Sequence, residues 1–138
     1  MTFTISSSAP SSRVELSATD AKASLISTRL TSSIVLPALS KATARVLDKA
    51  GKAIDDVDRV EINEAFSSVT VNSLKMLGAD PDKANVNGGA VALGHPLGAS
   101  GARILGTMIY ELRRNGGGLG LAAICSGGGQ GDALLLEV

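Results

Sequence analysis

Apolar positions recur at spacings of three and four over residues 37–50, where Leu39, Ala42, Val46 and Ala50 share one face; the pattern predicts a helix with Pro37 in its first turn and Gly51 as its stop. A polar turn, residues 55–58, leads into a short strand, Arg59–Ile62. A second helix is expected with Asn63 as N-cap and Glu64 in the first turn, burying Phe66, Val69 and Leu77 with Leu74 nearby and ending at Gly78. After the turn at Asp80-Pro81-Asp82 comes a short strand over 84–87, then a glycine-studded loop around His95. A third helix, Ser100–Arg114, follows, burying Ala102, Leu105, Ile109 and Leu112 and closed by two arginines and a run of glycines. Leu119–Cys125 and residues 132–138 are near-continuous apolar runs, as in strands covered on both faces.

That order of helices and strands predicts an α/β fold: a layered mixed sheet with helices, its last two strands antiparallel. Residues 1–33 contain ten serines and hold neither periodicity for long, so they read as a poorly defined lead-in, with a short strand at 13–16, to a domain over 34–138. In a parallel sheet the strand carboxyl ends gather the functional loops. Three such ends carry the distinctive residues here: Asn63, His95 and Cys125.

Composition narrows the chemistry. With 138 residues, 44% of them apolar, the chain can bury one core. Thirteen basic against thirteen acidic side chains, and an aromatic content of two Phe and one Tyr, argue against nucleic acid or an anionic membrane as partner. One cysteine precludes an internal disulfide, and one cysteine with one histidine leaves no plausible structural zinc site. A reducing compartment is expected, the cytoplasm first and an organelle matrix as alternative.

Each distinctive residue has a plain structural reading beside a chemical one. Cys125 is either a small core residue or a thiol serving as base or nucleophile beside glycine amides that cradle negative charge. Asn63 caps a helix, donates its amide to an oxygen, or does both. His95 is a hydrogen-bonded loop residue, or a donor and proton carrier at that same oxygen. Other chemistries fail on spacing: the segment Gly98-Ala-Ser-Gly101 has Ala102 where a hydrolase elbow requires glycine, and no Gly-Lys-Ser/Thr follows either glycine-rich segment.

Three segments, Glu61-Ile-Asn-Glu-Ala-Phe66, the run from Asn87 through Gly94-His-Pro-Leu-Gly98 to Arg103, and Cys125-Ser-Gly-Gly-Gly-Gln-Gly131, resemble the carboxyl-terminal domain of thiolases, in that family's order. The resemblance spans roughly three quarters of the chain, from Pro37 to its end. Thiolases are acyl-CoA acyltransferases that cleave 3-ketoacyl-CoA with CoA or condense acyl-CoA units. The resemblance implies that Cys125 is the acid/base cysteine and that His95 binds the thioester oxygen and helps activate the nucleophile. Asn63 would hold the water completing that oxyanion hole, and the amide of Gly127 would contribute to a second. Coenzyme A enters as part of the substrate, with no further cofactor.

Thiolases acylate a different cysteine, in an amino-terminal half of similar fold, and this sequence has no second cysteine. Ser32, Ser33 and Ile34 also stand where the family usually places glycines. The expectation is therefore a chain carrying the acid/base half of the site, inactive alone, that associates with itself or with a chain supplying the other half, unless it is a fragment of a longer polypeptide that carries both. The alternative is a noncatalytic interaction module that keeps the half-fold.

Overall fold

The computed structural model describes the backbone of residues 13–18, 21–31 and 35–138, and side chains from Ala38 onward. Strands β1 (Arg13–Ala18) and β2 (Ala21–Thr31) form a hairpin and precede helix α1 (Val35–Ala50). Strand β3 (Arg59–Ile62), helices α2 (Ser67–Leu77), α3 (Ala90–Leu93) and α4 (Ser100–Arg114), and strands β4 (Leu119–Cys125) and β5 (Gln130–Glu137) complete the order. The five strands make one sheet, β1-β2-β5-β4-β3, in which only β3 and β4 run parallel. The expected antiparallel pair is there, with Cys125 opposite Gly131.

Helices cover the sheet on both faces. Strand alternation sends Val60, Ile62, Leu121, Ala123, Ala133 and Leu135 to one side, where they meet Leu39, Ala42, Val46 and Leu47 of α1 and Val69 and Leu74 of α2. Leu136 points to the other side, against Met108, Ile109 and Leu112 of α4. Full burial of a side chain such as Leu39 stabilises the fold by roughly 1.5–3 kcal/mol, which is why α1 keeps its apolar stripe on the sheet.

Two ion pairs tie α4 to β3 on this second side. The guanidinium of Arg59 meets Glu111 at 3.3 Å, and Glu61 meets Arg103 at 3.6 Å. Residues two apart on the strand thus pair with residues eight apart on the helix, which sets α4 antiparallel to β3 and fixes its register.

Several sequence expectations need correction. The strand over 84–87 is not formed: residues 81–83 make a 3-10 turn, and a single bridge joins Ala84 to Val60. The side chain of Asn85 takes over the pairing, accepting from the Ile62 N–H and donating to the Ile62 carbonyl, both at 2.9 Å, so the edge of β3 is satisfied without another strand. Helix α2 starts three residues later than expected, with Phe66 rather than Asn63 at its N-cap; Phe66 is extended (φ −137°) and 75% exposed instead of buried. On α4 the buried face contains Ile104, Met108, Ile109 and Leu112, while Ala102 is exposed. Residues 21–31, for which no element was expected, form β2 in register with β5; residues 1–12 lie outside the described residues.

Candidate functional site

The site is assembled at the carboxyl end of β3. Beyond Ile62 the chain makes one more sheet bond, from the Asn63 N–H to the Ala123 carbonyl at 2.9 Å, and then leaves the ladder. This anchors Asn63 beside β4, two residues before Cys125. The Asn63 side chain is fully buried and caps nothing. Its carbonyl oxygen accepts from Arg103 at 3.1 Å, and its amide nitrogen lies 3.3 Å from both ring nitrogens of His95.

His95 is held by the start of α4 as well. Its Nδ1 lies 2.6 Å from the Ser100 hydroxyl, which in turn reaches the Pro96 carbonyl at 3.2 Å. Ser100 opens α4 and Arg103 follows one turn later, so helical spacing puts both on one face, Ser100 against the loop and Arg103 against Glu61 and Asn63.

Glu61, one residue from the buried Ile62, faces α4 and is only 2% exposed. Burial pushes its carboxyl up to about 7, against the pull of Arg103 and with help from the negative charges of Glu64 and Glu111. Their 3.6 Å separation makes an ion pair but not a hydrogen bond: Glu61 Oε2 and the Nε and Nη1 of Arg103 are buried without a hydrogen-bond partner.

Two clasps fix the glycine-rich loop. Glu64 accepts from the Ala90 N–H at the start of α3, instead of sitting in the first turn of α2. A Cβ at Gly89 would come within 2.1 Å of that carboxylate, so glycine is what lets Glu64 dock. Earlier in the loop, Asn87 donates to Glu111 at 2.9 Å, and Arg114, Asn115 and Arg59 converge on the same carboxylate. Hydrogen bonds from Asn87 first, then Arg114, Asn115 and Arg59, hold the Glu111 carboxyl down at about 2 against the effect of burial.

Cys125 ends β4, half-buried, as the chain enters the turn containing Gly127. That turn is closed by bonds from the Ser126 N–H to the Gln130 carbonyl and from the Gln130 N–H to the Gly127 carbonyl, both 3.0 Å, with Gly127 exposed at φ 75°. The structure thus joins Asn63 and His95 directly. Among the described residues, the hydrogen bonds linking Asn63, His95, Ser100 and Arg103 do not extend to Cys125 or Gly127. Sequence reasoning missed Glu61, Glu64, Ser100 and Arg103 as members of this cluster. The available signals were a carboxylate within an apolar strand and a Ser/Arg pair three apart at a helix start.

Chemically, the cluster presents hydrogen-bond donors and an imidazole at the end of β3, the strand paired with the one that ends in Cys125. The Asn63 nitrogen is a donor only, and it faces the ring from a fully buried position. Among the described residues no group of three or more His, Cys, Asp or Glu is arranged to hold a metal, and no helix is long and apolar enough to cross a membrane.

Residues 20–138 match the family model described as the thiolase C-terminal domain. A steroid 3-ketoacyl-CoA thiolase of Mycobacterium tuberculosis is 56% identical over 96 residues, covering 70% of this chain and 24% of its own length. The cytosolic acetyl-CoA acetyltransferase of Mus musculus is 52% identical over 102 residues, covering 74% of this chain and 25% of its own. Among solved structures, a thiolase from Ascaris suum in complex with coenzyme A superimposes with a TM-score of 0.78 at 41% identity, and the acetyl-CoA acetyltransferase of Bacillus anthracis with 0.80 at 39%; each covers 83% of this chain and 30% of the other. The chain therefore spans about a quarter of the length of the curated relatives it matches.

Proposed function

The chain belongs to the thiolase family, matching its carboxyl-terminal domain, and from that premise we propose that it supplies the acid/base and oxygen-binding half of an acyl-CoA acyltransferase site. In this reading the substrate is an acyl-CoA thioester. In condensation the Cys125 thiolate takes a proton from the carbon next to the thioester carbonyl, and the resulting enolate attacks an acyl group held on a second cysteine. In thiolysis the Cys125 thiol returns that proton to the departing carbanion. His95 and the Asn63 amide stabilise the thioester oxygen, and the Gly127 N–H stabilises the oxygen of the tetrahedral intermediate.

The observation that carries the reading is the Asn63–His95 pair, with the amide turned toward the imidazole by Arg103, at the end of the strand adjoining the one that delivers Cys125. Carbanion chemistry beside a thioester requires a base together with donors for the enolate oxygen, and these residue types meet that requirement. Asn63 is fully buried and His95 is not, so an incoming oxygen reaches the ring first. The similarity to a 3-ketoacyl-CoA thiolase, an acetyl-CoA acetyltransferase and a thiolase bound to coenzyme A supports the substrate class.

One thiol cannot hold an acyl group and remove a proton at once. The nucleophilic cysteine therefore comes from another half, either a separate chain that associates with this one or a further part of a longer polypeptide, with self-association of the whole. A free thiol suits the cytoplasm. The test mixes this chain with a thiolase amino-terminal half bearing its cysteine and follows thiolysis of acetoacetyl-CoA. The expected result is no turnover by either alone, turnover in the mixture, and its loss on Cys125→Ala. A complex that forms yet stays inert would overturn the acyltransferase reading in favour of a noncatalytic interaction module.

A further inference from the structure

The contacts around His95 have a direction that none of its neighbours could impose alone. Arginine has donors only, so the Arg103 contact at 3.1 Å fixes which end of the Asn63 amide is the oxygen and leaves the NH2 facing the ring. The amide nitrogen is donor-only in turn, so the ring nitrogen that receives it must be bare. At Nδ1, 2.6 Å away, stands the Ser100 hydroxyl, whose proton is directed at the Pro96 carbonyl at 3.2 Å, so that it accepts from the ring. With the proton on Nδ1, Nε2 is the bare nitrogen for the Asn63 amide, which lies 3.3 Å from each of the two.

We infer that Arg103 and Ser100 are positioning residues that hold His95 as its Nδ1–H tautomer through one hydrogen-bond chain, Arg103 to Asn63 to His95 to Ser100 to the Pro96 carbonyl. Glu61 sits behind the guanidinium and balances its charge at 3.6 Å. Neutral imidazole in water carries its proton mainly on Nε2, so the site opposes the ordinary preference. The consequence for the reaction rests on the acyltransferase reading: an imidazole held in this way offers the site a lone pair, and must take up a proton at Nε2 before it can donate to an oxygen from that atom.

His95 is the chain's only histidine, so its ring nitrogens are identified without assignment in a long-range proton–nitrogen correlation spectrum of the ¹⁵N-labelled chain. At the high-pH plateau of its titration the wild type is expected to show a protonated Nδ1 and a bare Nε2. Ser100→Ala removes the acceptor and is expected to shift the ratio toward Nε2–H by about fivefold, the worth of one net hydrogen bond. The pair Glu61→Gln/Arg103→Met leaves no buried charge unpaired; it frees the Asn63 amide to flip and should bring the ratio toward unity.

A wild type that carries Nε2–H overturns the proposal, as do folded variants that leave the ratio unchanged. Should a variant fail to fold, the wild-type spectrum still decides. An Nε2–H wild type would sink the chain of bonds without touching the acyltransferase reading, whereas an inert reconstituted mixture with Nδ1–H in place would do the reverse.

Discussion

Glu61 links the site to pH. Its carboxyl is held at about 7 in the folded chain against an ordinary 4.5, chiefly because burial disfavours the charge. The folded state therefore binds this proton more tightly than the unfolded state does. The corresponding stabilisation is fully present below 4.5 and is lost as pH rises through 7, a difference of about 3 kcal/mol. Urea unfolding at pH 5 and pH 8 should show the wild type less stable at the higher pH, with Glu61→Gln flattening that slope. Glu111 works in the opposite sense. Held down at about 2 by Asn87, Arg114, Asn115 and Arg59, it contributes stability above 4.5 that is lost as pH falls through 2. Acid titration followed by circular dichroism should therefore show Glu111→Gln lacking that acid-side loss, at the expense of the bonds that hold Asn87.

Between elements, the contact to test is the one joining the segment after β3 to α3. A methyl group at Gly89 would occupy the place of the Glu64 carboxylate, which sits on a flexible stem and can swing to water. The cost of Gly89→Ala is then chiefly the lost charge-assisted bond to the Ala90 N–H, about 1.5–3 kcal/mol. Glu64→Ala removes the same bond. The double variant should accordingly cost much less than the sum of the singles in denaturant unfolding, a coupling that independent effects would not give. This contact also shows where sequence reasoning stops. The helices around Leu39 and Ile109 and the strands ending at Cys125 and Glu137 could be read because their apolar residues repeat with the period of the element that buries them. Asn63, Glu64 and Asn85 were misread because each has a local use, cap, first-turn anion or strand residue, that loses to a partner 20 or more residues away: Asn63 to His95 and Arg103, Glu64 to Ala90, Asn85 to Ile62. Phe66 was expected inside because helical phase was counted from the wrong first residue, and Ala102 because small apolar side chains mark a helix face weakly. For the candidate site, His95 and Asn63 stood out by residue type and glycine context, while Ser100 and Arg103 become visible only once α4 and the loop fold against each other.

At the scale of the molecule, exposed large apolar side chains among the described residues gather in the connection from β3 to α4 rather than spreading evenly. Phe66, Val91, Leu93 and Leu97 are 75%, 70%, 61% and 81% exposed, and all four lie near Asn63 or His95 in sequence. Single exposed apolar residues are ordinary, but a group of them around a functional cluster suits a surface that another protein covers. The acyltransferase reading requires such a cover, because the second cysteine has to reach His95 from outside these 138 residues. Replacing Val91 and Leu97 by serine removes apolar surface that contributes little to folding, so the unfolding midpoint should shift by no more than about 0.5 kcal/mol. The same change should reduce concentration-dependent self-association in sedimentation velocity and weaken capture of a thiolase amino-terminal half. Unchanged association with an unchanged fold would mean that these side chains are incidental exposure and that the second half approaches His95 over a different face.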